Sequence, residues 1–215
     1  LHFVIATRPG GIPEYDIREI ETRLREAGRN WGDRLQEALL DHHGEETGNR
    51  LFRKYSDAFP AGYQERMAAA VGVLDIDKIE MALKDGELGM NLYRPLEADE
   101  HELRFKIYNA GSPLSLSDIL PVLENMDLKV LSETPYDIRL NGSDSIVRIH
   151  DFSLVTSDGR PVDFEEVHDQ FQEGFRRVWR GDMENDGFNR LILEAGLAWR
   201  DVVVLRAFYK FLRQA

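Results

Sequence analysis

The segment Leu103-Arg104-Phe105-Lys106-Ile107-Tyr108 decides the fold. Leu103, Phe105 and Ile107 alternate with Arg104, Lys106 and Tyr108, the period of two that marks a strand. Upstream, Leu88 to Arg94 reads as a strand closed by Pro95, and Glu97 to His101 as the polar turn between the two. Downstream, Gly111 and Pro113 end the strand. A helix is predicted from about Ser117 to Met126 through Ile119, Leu120 and Leu123. Ser117 or Asp118 would cap it, which places Pro121 in or beside the first turn, where a missing N–H costs little. Lys129 to Leu140 is the next strand, and its Pro135 argues for a sheet edge. Asn141-Gly142 is the best hairpin signal in the chain. Ser145 to Thr156 returns as a strand whose alternation slips near His150-Asp151, where a bulge would re-aim the side chains. After an Asp158-Gly159 turn, Phe164, Val167, Phe171, Phe175 and Val178 define an amphipathic helix.

Residues 86–181 thus read strand, strand, helix, strand, strand, helix. A ferredoxin-like βαββαβ unit has its last strand beside its first. Here that partner comes first, as one arm of a hairpin. The expected fold class is α+β: a helical region, then a permuted ferredoxin-like, ACT-type antiparallel sheet, then C-terminal helices. Leu1, Phe3 and Ile5 read as a strand, and Pro9, Gly10, Gly11 and Pro13 break it. A long helix is predicted from a capping box at Asp16 and Glu19, through Ile17, Leu24, Trp31 and Leu35, ending at His42 to Gly44. Glu45 to Ala58, Gln64 to Val71 and Asp75 to Lys84 are predicted as further helices. The expected division is residues 1–10, the terminal strand of a preceding domain; 11–85, a helical connector; 86–181, the ACT-like domain; and 182–215, a helical segment that breaks at Gly196. The chain starts without Met and ends in a helix rich in Trp199, Val202, Val203, Leu205, Phe208, Phe211 and Leu212. Both ends suggest a piece of something longer, because so apolar a helix calls for cover.

The chain has 215 residues, 42% hydrophobic and 31% charged, enough to bury roughly 70% of its unfolded surface. One large domain or two small ones are equally allowed. No apolar run is long enough to span a membrane, and no signal-peptide pattern opens the chain. The absence of cysteine excludes disulfides, thiol catalysis and Cys-ligated zinc, and a cytoplasmic location fits. With 27 Lys+Arg against 39 Asp+Glu, the net charge of -12 repels nucleic acid on average. Arg176, Arg177 and Arg180 form the best local basic patch and read as a solvated helix face.

No residue is assigned a catalytic, cofactor-binding or metal-ligating role. Neither G-x-G-x-x-G nor G-x-x-x-x-G-K-[ST] occurs. His42, His43, Glu45 and Glu46 lack metal-ligand spacing, since adjacent histidines diverge by about 100° on a helix; they read as a solvated helix end. Asp182, Glu184, Asp186 and Gly187 open like a calcium loop, but the twelfth position is Leu193 instead of Glu. They read as the turn and cap of a helix from Phe188. His150 and Asp151, as strand neighbours, point to opposite faces and cannot easily share a proton. Ser115 and Ser117 lack a nucleophile setting and read as turn and cap residues.

Several stretches together resemble the large bacterial NAD-specific glutamate dehydrogenases: Asn91-Leu92-Tyr93-Arg94-Pro95, the run from Leu116 to Met126, Glu133-Thr134-Pro135-Tyr136, Ile149-His150-Asp151-Phe152, and the run from Glu184 to Leu191 continued by Ala195-Gly196-Leu197, Trp199-Arg200 and Leu205-Arg206-Ala207. Upstream, Trp31-Gly32-Asp33 and the run from Ala58 to Tyr63 also fit. The resemblance implies an N-terminal regulatory segment around a third ACT-like domain, before a catalytic domain that oxidises glutamate with NAD. It implies a homo-oligomer, with the rest of the same polypeptide as partner and an amino acid as a possible effector. It carries over no catalytic residue and no cofactor to this segment. The alternative is a purely structural spacer or oligomerisation module.

Overall fold

The computed structural model describes residues 30–95, 98–143 and 145–214. The strand expected at Leu1 to Ile5 and the helix start expected at Asp16 lie outside them. Helix α1 (Trp31–Tyr55) begins at Asn30, whose side chain accepts from the Asp33 N–H at 2.8 Å while Asp33 accepts from the Asn30 N–H at 3.3 Å. That capping box corrects the expectation of one helix running unbroken through Trp31. The break expected after His42 is present: Gly44 stands at φ 76°, ψ 174°, a region essentially reserved to glycine. The chain turns back so sharply that a Cβ on Gly48 would sit 2.7 Å from the Leu39 carbonyl oxygen.

Helices α2 (Ala61–Arg66) and α3 (Ala69–Asp85) start earlier than the periodicity predicts. The break between them falls at Met67 and Ala68, where no proline or glycine marks it. The Trp31 indole N–H donates to the Met67 carbonyl at 2.8 Å, satisfying a group that the break leaves without a helical partner.

Strands β1 (Gly89–Tyr93) and β2 (Glu102–Asn109) form the first hairpin, and α4 (Leu116–Asn125) follows. Then come β3 (Leu128–Arg139), β4 (Ile146–Thr156) and α5 (Phe164–Trp179). The sheet order is β1-β2-β4-β3, with every pair antiparallel. β1 thus fills the place beside β2 that the last strand of an unpermuted ferredoxin-like fold would take, and Pro135 lies on an edge strand. The N-cap of α4 is Ser115 instead of Ser117 or Asp118, so Pro121 sits in the second turn and removes one helical hydrogen bond there.

Both faces of the sheet are covered. On one, Leu92, Phe105, Ile107, Phe152 and Leu154 pack against α4 and α5, with Phe105 edge-on to Phe171 at 5.2 Å. On the other, Tyr108, Tyr136, Ile138, Val147 and Ile149 pack against α1 to α3. The run His150-Asp151-Phe152 is therefore buried at every position. That explains the slip in alternation, and the bulge expected in β4 lies instead in β3, between Val130 and Ser132. It leaves Leu131 61% exposed.

The face toward the helices hides charges. Asp75 on α3 and Lys106 on β2 are each 1% exposed and meet at 2.6 Å. Asp75 also accepts from the Tyr63 hydroxyl at 2.5 Å and the Tyr108 hydroxyl at 2.7 Å. The Lys106 ammonium lies 5.5 Å from the Tyr93 ring centre and 5.7 Å from that of Tyr63, close enough for cation–π attraction. Burial, with the Asp75 charge beside them, pushes both the Tyr63 and Tyr108 hydroxyls well above the ordinary phenol range. The chain closes with a 3₁₀ turn (Gly187–Arg190), α6 (Leu191–Ala195), a left-handed Gly196 and α7 (Trp199–Leu212).

Replacing Asp75 by Leu strands a buried ammonium and two phenols. The expected loss is about 3–5 kcal/mol, the scale for breaking a buried ion pair from one side, read from urea unfolding. A loss below about 1 kcal/mol, the range of an exposed pair, would show that the network does not hold α3 to the sheet.

Candidate functional site

The β1 edge of the sheet carries two adjoining clefts of about 580 and 700 Å³ that share Ala82, Glu87, Leu88, Met90, Arg176 and Arg180. Three elements build them. α3 ends at Gly86, left-handed at φ 70°, which turns the chain straight into β1. Gly89 lets β1 close on α3, since a Cβ there would sit 3.0 Å from the Lys78 carbonyl oxygen. The C-terminal half of α5 supplies the facing wall.

Charges line the first cleft in pairs. Arg180 reaches Glu87 across it. Arg176 and Arg177 both bind Glu173, at 2.6 and 2.7 Å, and Arg177 also reaches Asp182 at 3.0 Å. Burial would raise the Glu173 carboxyl, but the hydrogen bonds from the two arginines outweigh it and hold the group below the ordinary range. The three arginines expected to form a solvated face are thus neutralised by carboxylates, and no free basic patch forms there.

The other sequence candidates separate as follows. His150 and Asp151 do face opposite ways. The His150 Nδ1 lies 2.8 Å from Glu133, whereas Asp151 lies beneath the sheet, 3.5 Å from the Tyr93 hydroxyl. Burial pushes the Asp151 carboxyl up despite the nearby Lys106 and Arg104. Ser115 and Ser117 share a hydrogen bond at 2.6 Å at the start of α4. Glu45 and Glu46 are exposed, but His42 and His43 both reach Asp77 on α3. Asp99, His101 and Glu102 gather on the turn into β2.

The acids after Asp182 are structural in this fold. Asp186 caps the 3₁₀ turn by accepting from the Phe188 N–H at 3.0 Å. Its two oxygens take a bidentate grip from buried Arg206 on α7, both at 2.8 Å. Arg206 also donates to Asn189 at 2.6 Å, and Lys210 reaches Glu184 at 2.6 Å. Sequence reasoning saw the cap but missed the arginine, which lies 20 residues away. It also missed Asp75, although an acid inside the apolar run Val71-Gly72-Val73-Leu74-Asp75-Ile76 is itself a signal of a buried polar contact.

A permuted, four-stranded antiparallel sheet with two helices on one face is the architecture of an ACT-like domain. The chain matches the family described as glutamate dehydrogenase, ACT3 domain, over residues 87–167. It matches helical motif 2 of the same enzyme over residues 38–82 and helical motif 3 over residues 183–215. It is 39% identical over 201 residues to an NAD-specific glutamate dehydrogenase of Halomonas elongata, covering 94% of this chain and 12% of that protein. A Pseudomonas aeruginosa protein of the same name is 37% identical over the whole chain, which covers 13% of it. A Mycobacterium tuberculosis one is 29% identical over 233 residues, 14% of its length. The chain belongs to the NAD-specific glutamate dehydrogenase family, of which it spans about an eighth of the relatives' length. Among the described residues, no helix is long and apolar enough to cross a membrane.

Asp186 makes a pH dependence measurable. Burial would raise its carboxyl, but hydrogen bonds from Arg206 and the Phe188 N–H hold it below the ordinary value. A depressed folded value means that its stabilisation is complete above the unfolded carboxylate pKa of about 3.9. That stabilisation is lost as the pH falls through the folded value. Asp186→Asn is expected to lower the melting temperature at neutral pH and to flatten its fall below about pH 4, measured by circular dichroism. An acid limb identical to the unsubstituted chain would refute this.

Proposed function

We propose that this chain is a non-catalytic regulatory and assembly segment of a cytoplasmic, homo-oligomeric NAD-dependent glutamate dehydrogenase. The full enzyme converts L-glutamate, NAD and water to 2-oxoglutarate, ammonia and NADH, and the redox chemistry belongs to polypeptide outside these residues. Residues 11–85 serve as helical connector, 86–181 as the ACT-like domain, and 182–215 as the helical lead into the rest of the enzyme.

The observation that carries this reading is the β1-edge cleft. Its walls come from α3 of the connector and from β1 and α5 of the ACT-like unit, so a ligand there touches both. Lys78, Arg176 and Arg180 line it together with Asp85, Glu87 and Asp169. That mixed lining suits a zwitterion with one carboxylate and one ammonium. An amino acid bound there regulates only if it favours one relative position of connector and sheet over another.

Calorimetry of amino acids against the chain tests the effector. Binding is expected, with Arg180→Ala weakening it about ten- to hundredfold, the scale of one charge-assisted hydrogen bond. Failure to bind either this chain or an intact relative removes the effector.

The spacer reading rests on α7. Val204, Phe208, Phe211 and Leu212 are 51%, 64%, 68% and 70% exposed, an apolar face that exceeds scattered surface hydrophobics. Assembly through this face predicts self-association on sizing at rising concentration, abolished by Phe208→Asp with Phe211→Asp. A chain that stays monomeric at high concentration speaks against it.

A further inference from the structure

We infer that His42, His43 and Asp77 form a binding site for a divalent first-row transition ion of the zinc class, which clips the corner of α1 to α3. Gly44 takes the chain out of helical geometry immediately after His43, so the two histidines sit at a corner with α3 passing across it. Their rings stand edge to face, with centroids 4.6 Å apart. Both present Nε2 to the same carboxylate. His42 Nε2 lies 3.4 Å from Asp77 Oδ2, and His43 Nε2 lies 3.0 Å from Oδ1. The three ligand atoms all fall within 4.8 Å of one another.

The 3.4 Å separation matches the edge of a coordination tetrahedron, and the 3.0 Å one falls a few tenths short of it. With metal–nitrogen and metal–oxygen bonds of about 2.0–2.2 Å, neighbouring vertices of a tetrahedron stand roughly 3.3–3.5 Å apart. A second observation points the same way. His43 Nε2 is buried and has no hydrogen-bond partner, although an Asp77 oxygen lies 3.0 Å off. A ring nitrogen that near a carboxylate oxygen without an aligned hydrogen bond is placed to share a third atom with it. Two imidazoles and one carboxylate make a borderline donor set that prefers zinc, cobalt or nickel to calcium or magnesium.

The site is a clip and carries no catalytic role. The side chains of His42 and Asp77 are 51% and 34% exposed, so the remaining coordination position faces solvent and is filled by water. Asp77 lies two residues along α3 from Asp75, which anchors that helix to the sheet. A bound ion therefore stiffens the connector at the helix that also walls the cleft.

Zinc titrated into the 215-residue chain by calorimetry, after removal of metal by a chelator, is expected to bind at one equivalent with micromolar or tighter affinity. Cobalt in its place is expected to give the visible absorption of a four-coordinate site. His42→Ala, at an exposed position, and Asp77→Asn are each expected to weaken binding at least tenfold. Glu46→Ala, close by in sequence and exposed, should leave affinity unchanged. Circular dichroism distinguishes lost ligation from lost folding in each variant. Absence of binding overturns the proposal and leaves a plain histidine–aspartate contact. So does binding that survives both ligand substitutions.

Discussion

The contact between Asp75 and Lys106 fixes how the two halves of the described chain meet. Taking either charge out of water costs several kcal/mol, and attraction offsets that cost only when the remaining lone pairs and protons are also satisfied. Here Tyr63 from α2 and Tyr108 from β2 donate to the Asp75 oxygens, and the rings of Tyr63 and Tyr93 lie against the Lys106 ammonium. Side chains from several elements must therefore arrive together. A one-residue slip of β2 would turn Lys106 to the opposite face, toward Phe171 and Phe175 of α5. The buried pair thus specifies register more surely than it adds stability.

The other constraints follow from covering the sheet twice. A sheet with one wet face shows clean alternation, whereas one buried on both sides reads as a continuous run. β2 from Phe105 to Asn109 is buried throughout. The connector side is tightly packed: Gly48 meets the Leu39 backbone across the α1 corner, and Gly89 lets β1 approach the Lys78 carbonyl of α3. Asn141 completes the junction. Its side chain donates to the Arg53 carbonyl at 3.1 Å and its N–H to the Lys54 carbonyl at 3.0 Å, so the β3–β4 turn satisfies the carbonyls that α1 leaves open at its C-terminus.

Much of this was legible in sequence. The order of strands and helices after Gly86 identified the permuted sheet because each element carried its own period and its own breaker. Pro135 identified an edge, and Gly44 and Gly196 identified helix ends. What failed had physical reasons. The break at Met67 is held by Trp31 from another helix, so no local residue announces it. The slip at His150-Asp151 came from burial on two faces, which a bulge mimics in sequence. His42 and His43 leave the helix in different directions, yet both rings reach Asp77 on α3, a convergence set by packing that no local spacing announces. The partners that sequence missed for two acids, Lys106 for Asp75 and Arg206 for Asp186, lie 31 and 20 residues away and are defined only by packing.

α3 is where these threads cross. Asp75 faces the sheet, Asp77 faces the α1 corner, and Lys78, Ala82 and Asp85 line the β1-edge cleft. A helix has only three or four faces to offer, and α3 commits nearly all of them to polar or tight contacts. Such a beam transmits displacement poorly by bending, because packed interiors resist continuous deformation and shift between discrete arrangements. Coupling through it would then work as a choice between two seatings of the connector on the sheet. The energy available to make that choice is the difference in ligand affinity between the seatings. The buried ion pair is the contact that any alternative seating must either keep intact or replace.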